Sequence, residues 1–117
     1  MAARKSALLD ALSDIFEIVV AWRPGATRPV TIIYLRIDDM VLIHDRTYVD
    51  SPAVASVPPN KVGTPVTVSW AIAPEVDVDE IAIGFARRGR SGTTPIASKK
   101  DVARGDVWQD EKRLTIQ

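Results

Sequence analysis

"VTVSWAIAPEVDVDEIAIGFARR", residues 66–88, changes the phase of its alternation halfway along. Val66, Val68, Trp70 and Ile72 are apolar at every second position, and beyond Pro74 the pattern resumes on odd numbers at Ile81, Ile83 and Phe85. Successive side chains of a strand point to opposite faces, so one unbroken strand cannot turn both sets inward. Pro74 has no N–H to give a ladder, and Glu75, Asp77, Asp79 and Glu80 repel one another unless water screens them. The stretch predicts two strands, 64–73 and 80–87, joined by a solvent-facing connection, with a bulge inside one long strand as the alternative.

Upstream, "PVTIIYLRI" (29–37) is rich in β-branched residues and largely apolar on both faces, which predicts an interior strand covered on two sides. Asp38 and Asp39 supply turn chemistry, and "MVLIHDRTYV" (40–49) runs back as a second strand. Pro52, Pro58 and Pro59 mark residues 51–63 as a loop, long enough to be either an extended arm or a packed connection. Downstream, "RRGRSGTTP" is a glycine-rich basic loop. Ser98 is placed to cap one helical turn, "KKDVA", that stops near Gly105. "DVWQDEKRLTIQ" closes the chain as a final hairpin or edge strand.

At the start of the chain, Ser6 can cap a helix, and Leu8, Leu12, Ile15, Val19 and Trp22 follow at spacings of four and three. These residues predict a helix from about 4 to 20, ended by Pro24 and Gly25. Phe16, Ile18, Val20 and Trp22 also alternate as a strand would, which leaves the last turn open. The expected organisation is a helix and turn over 1–25, then one β domain over 26–117. The expected fold is mainly β, an antiparallel sandwich or small barrel of five or six strands behind one N-terminal helix.

"GTPVTVSWAIAP" resembles the second strand of fibronectin type III-like sandwich modules, and "DEIAIGFARRG" the strand that follows it. The resemblance covers roughly a quarter of the chain and implies a sandwich in which Trp70 packs in the core.

The chain has 117 residues, fifteen basic and fifteen acidic, and no cysteine. Zero net charge gives no overall pull toward nucleic acid or anionic membranes. Without cysteine there are no disulfides or thiolate zinc sites. The N-terminal apolar run is interrupted by Asp10, Asp14 and Glu17, so neither a secretory signal nor a membrane span is expected. Synthesis in the cytoplasm without a signal peptide, possible incorporation into a particle and no membrane partner follow as expectations.

Chemistry is thinly marked. His44, the one histidine, has Asp38, Asp39, Asp45 and Asp50 near it in sequence, but His44 and Asp45 fall on opposite faces of a strand. No Gly-x-Ser-x-Gly turn or phosphate loop is present. Neither a catalytic set, a metal nor a cofactor is expected. Residues 87–104 hold Arg87, Arg88, Arg90, Lys99, Lys100 and Arg104 against Asp101 alone. This run is either a solvated loop, a phosphate-binding surface, or a complement to Glu75, Asp77 and Asp79 on another copy. Trp22 and Trp108 sit beside loop signals, where an indole packs a small domain or anchors an interface.

The leading expectation is a non-enzymatic structural subunit of a homomeric assembly, such as a decoration, connector or tail component of a virion or phage particle. Its partners would be copies of itself and other subunits. Leu8, Leu12, Ile15, Trp22, Trp108, Arg87, Arg88, Arg90, Glu75, Asp77 and Asp79 are the candidate interface. The alternative is a soluble binding module for a protein or glycan, and nucleic-acid binding through 87–104 ranks below it.

Overall fold

The computed structural model describes residues 15–25 and 28–117. Among them run eight strands: β1 (Phe16–Arg23), β2 (Val30–Ile37), β3 (Met40–Tyr48), β4 (Ala53–Ser56), β5 (Pro65–Pro74), β6 (Val78–Arg87), β7 (Thr94–Val102) and β8 (Trp108–Thr115). They form two antiparallel sheets, one ordered β4-β1-β6-β7 and the other β3-β2-β5-β8. The architecture is the expected sandwich, with more strands than the expected five or six.

The phase change of the 66–88 stretch is a change of sheet. β5 turns Val66, Val68, Trp70 and Ile72 inward from one sheet, and β6 turns Ile81, Ile83 and Phe85 inward from the other. Residues 75–77 carry the chain across, so the two strands need not share parity. Trp70 packs in the core, as the sandwich resemblance implies.

The helix expected over 4–20 is corrected where it is described. Phe16–Arg23 is an interior strand, paired with β4 on one side and β6 on the other, and Phe16, Ile18, Val20 and Trp22 face the core. Two-sided ladder pairing and burial of a β-branched run outweigh the helical spacing of Ile15, Val19 and Trp22. The part of that helix before Ile15, with Leu8 and Leu12, lies outside the described residues. The sandwich thus begins inside the segment set apart as a helix and turn.

β2 is interior, between β3 and β5, but it is not covered on two sides. Its pairing with β5 slips between Ile32 and Tyr34, so Val30 and Ile32 face inward before the slip and Leu35 and Ile37 after it. The bulge moves the inward set from even to odd numbers, which makes both faces look apolar in the sequence. "KKDVA" is not a helical turn: Lys99 and Lys100 pair with Ile81 and Glu80 inside β7. The 51–63 loop contains β4 and a short 3-10 turn at Pro59–Lys61, and it buries Ala53 and Val57, so it is a packed connection. β8 is an edge strand of its sheet, as expected.

The core is dominated by isoleucine and valine around Trp70, with Ile18, Val20, Ile32, Leu35, Ile72, Ile81 and Ile83 essentially without solvent contact. Each such side chain contributes about 1.5–3 kcal/mol of burial free energy relative to exposure. No buried polar or charged residue interrupts it among the described residues.

Candidate interface surfaces

β6 separates the two charged loops. The acidic connection enters it at Val78 and the basic loop leaves it at Arg87, so ten residues of extended chain hold them about 30 Å apart, at opposite ends of the sandwich. That is the geometry a head-to-tail contact between copies needs. Much of the charge is nevertheless engaged inside the chain. Glu80 pairs with Arg23 at 3.1 Å, and Glu75 accepts the Thr31 hydroxyl at 2.7 Å. The Asp77 carboxylate accepts the Arg104 N–H at 2.8 Å, while its carbonyl accepts from the Arg28 guanidinium. Asp79 is exposed, with no partner among the described residues.

The basic run does not form one patch. Arg87, Arg88 and Arg90 lie at one end, Arg104 is held at the other, and Lys99 and Lys100 sit on β7 between them. The Arg87 guanidinium stacks 5.2 Å from the centroid of the Phe16 ring. Arg88 reaches Ser56 at 3.1 Å and Glu17 at 3.7 Å. Arg90 is exposed, and among the described residues only its backbone N–H is engaged, by the Arg87 carbonyl.

Both remaining tryptophans are buried in the chain's own sandwich. Trp22 donates its indole N–H to the Arg28 carbonyl at 2.8 Å, and Trp108 packs against Trp70. Ile15 is half-buried at the mouth of β1, and its carbonyl accepts the Arg88 N–H at 2.7 Å. The acidic group around His44 is dispersed. Asp38 is tied to Lys61 and to the Thr67 N–H, while His44 and Asp45 are exposed on β3. No group of three or more metal-ligating side chains occurs among the described residues. No described helix is long and apolar enough to cross a membrane.

A surface that the sequence reading missed is the outer face of the β4-β1-β6-β7 sheet. Pairing aligns Val54, Val19, Gly84 and Pro95 in one row across the four strands, and Ala21, Ala82 and Ser98 in the next. These residues alternate with the buried Ile18, Val20, Ile81 and Ile83, so they face away from the core. They are small or apolar, and all of them but Val54 line a shallow depression of about 430 Å³ that also reaches Lys112 on β8. Polar rows frame it: Arg23, Glu80 and Lys100 toward the acidic end, and Ser56, Glu17 and Arg88 toward the basic end. The signal in the sequence was the opposite phase of β1, where Val19 and Ala21 alternate with the core set. The helical reading absorbed it by counting Val19 in a helix stripe.

The outer face of the other sheet is polar. Tyr34 receives a bond from the Gln109 amide at 2.9 Å and carries the Arg36 guanidinium 4.2 Å from its ring centroid. A depression of about 190 Å³ is lined by Tyr34, Ser69, Gln109, Asp110 and Glu111.

No protein-family profile, curated protein or solved structure matches the chain.

Proposed function

We propose that the chain is a non-enzymatic structural subunit of a homomeric assembly, of the decoration, connector or tail kind from which virion and phage particles are built. The observation that carries this reading is the apolar outer face of the β4-β1-β6-β7 sheet, where Ala21, Val54 and Pro95 are exposed beside the half-buried Val19 and Ala82. A flat face of valine, alanine and proline inside a polar frame has the composition of a protein contact: an apolar centre with a charged rim. The charged ends are the weaker candidate, because Glu75, Asp77, Glu80 and Arg88 already have partners within the chain.

Light scattering over a wide concentration range, at low and high salt, tests the reading. A defined oligomer that persists in high salt is expected, since apolar burial is not screened by ions. A monomer under every condition overturns it.

A binding module is the second reading, favoured by the depression beside Tyr34, where an aromatic ring, an amide and carboxylates offer the chemistry that sugars use. Glycan-array binding lost in Tyr34→Ala would establish it in place of the first.

A further inference from the structure

We infer that the outer face of the β4-β1-β6-β7 sheet packs on the same face of a second copy of this chain, strands antiparallel, about a two-fold axis laid across the strands; this rests on the assembly reading above and names its contact and symmetry.

The charges point to a second copy. Side chains of alternating sign stand at the corners of the apolar rows. β1 holds Glu17 at one end and Arg23 at the other, while Glu80 lies beside Arg23 and Arg88 beside Glu17 on β6 and its continuation. The sign therefore reverses along each strand as well as between the two. A two-fold axis between the row of Val19 and the row of Ala21 keeps each strand over its own counterpart and reverses its direction. Arg23 then stands over Glu17 of the other copy, and Glu80 lies toward the end that carries the other copy's Arg88. Symmetry makes each contact twice. A face that is its own electrostatic complement is what an isologous contact requires. The pairs within the chain do not use up these groups. The Arg23 side chain is 73% exposed and that of Arg88 47%, so both guanidinium groups keep donors for a second carboxylate.

Shape selects this axis. Val54, Val19 and Pro95 make a larger row, and Ala21, Ala82 and Ser98 a smaller one. The axis across the strands lays the larger row of each copy over the smaller row of the other, so the side chains interdigitate as in aligned sheet packing. An axis along the strands would set Val54 against Pro95 and leave the small row facing itself. The face runs about 20 Å from Glu17 to Arg23 and about 19 Å across four strands. Two such faces bury less than the roughly 1,200 Å² of a standard interface, so the dimer dissociates on dilution.

Two charge reversals test the contact. Glu17→Arg sets an arginine against the other copy's Arg23, and Arg23→Glu sets a glutamate against its Glu17. Each is expected to raise the dimer dissociation constant about a hundredfold in sedimentation equilibrium, with thermal melts showing the fold intact. Mixed in equal amounts, the two variants place opposite charges at both contacts again, and a heterodimer that recovers most of the lost affinity is expected. Several results overturn the inference. Variants that each lose affinity and do not recover it on mixing rule out this axis. A wild-type oligomer that neither substitution weakens leaves the assembly reading standing and removes this contact. A wild-type monomer at every concentration overturns the assembly reading and the two-fold contact together. The chain has no cysteine, so Ala21→Cys gives a single thiol on the face. Slow labelling of that thiol in such a monomer would make another part of the same chain the occupant.

Discussion

Trp108 on β8 meets Trp70 on β5 edge to face, with ring centroids 5.3 Å apart and planes inclined at 65°. The register pairs Trp108 with Ile72 and Trp70 with Asp110, so the two indoles are diagonal neighbours across the strands. Trp108 thereby closes the core over the edge strand, which explains why an aromatic beside a loop signal is buried.

Trp108→Ala should cost about 3 kcal/mol or more, because it removes a large buried ring and uncovers Trp70. The Trp70 indole N–H has no acceptor among the described residues. Trp70→Phe should therefore cost clearly less than Trp70→Ala, since it retains a ring and removes the unpaired donor. Urea denaturation of the three variants checks the order; equal losses in Trp70→Phe and Trp70→Ala would contradict it.

Asp38 ties the β2–β3 turn to the rest of the sheet. Its carboxylate accepts from Lys61 at 2.8 Å and from the Thr67 N–H at 2.9 Å, and its φ of 53° is one that aspartate tolerates. The Lys61 bond first, and then the Thr67 N–H, hold its carboxyl below the ordinary value of 3.8. A depressed carboxyl stabilises the fold above its unfolded value, and that contribution is lost as pH falls through the folded value. Asp38→Asn, which keeps the backbone preference, should flatten the acid limb of a melting-temperature profile run from neutral pH down to pH 2 (about two units below an ordinary aspartate). An unchanged acid limb would mean the contacts are not maintained in solution.

Gly84 stands where β7 crowds β6. A Cβ there would lie 2.4 Å from the Thr93 methyl and 2.8 Å from the Thr94 carbonyl oxygen. The first obstacle is a side chain, but the second is backbone. Gly84→Ala should thus cost about 1–3 kcal/mol, and adding Thr93→Ser should not restore it. Full rescue by the second change, seen in thermal melts, would show that the methyl alone was the obstacle.

Asp77 separates a structural role of the acidic loop from an interfacial one. Its side chain holds the Arg104 N–H, so Asp77→Ala should lose about 1 kcal/mol while Asp77→Asn keeps an acceptor and most of the stability. If the loop acts mainly within the chain, Asp77→Asn also leaves the oligomer unchanged in light scattering. An oligomer lost in Asp77→Asn with its melting temperature intact would instead place this carboxylate in the contact between copies.

Local pattern was enough for much of this molecule. The parity break at Pro74, the alternation from Val66 to Ile72 and the turn chemistry of Asp38 and Asp39 specify strands and connections by period and φ preference, which neighbouring residues fix among themselves. The sandwich class, the buried Trp70 and the edge placement of residues 108–115 follow from those same patterns. The region around Ile15 to Trp22 could not be decided that way. Its residues satisfy a helical period and a strand period at once, and the choice falls to β4 and β6, which supply ladder partners from 33 (Val20 to Ala53) to 71 (Phe16 to Arg87) residues away. The slip at Ile32–Tyr34 and the strand character of Lys99–Val102 were likewise settled by neighbouring strands rather than by propensity. The candidate contact face belongs to the same class. Val19, Ala21, Val54, Ala82 and Pro95 are unremarkable one by one, and they become a surface because the register of four strands lays them side by side.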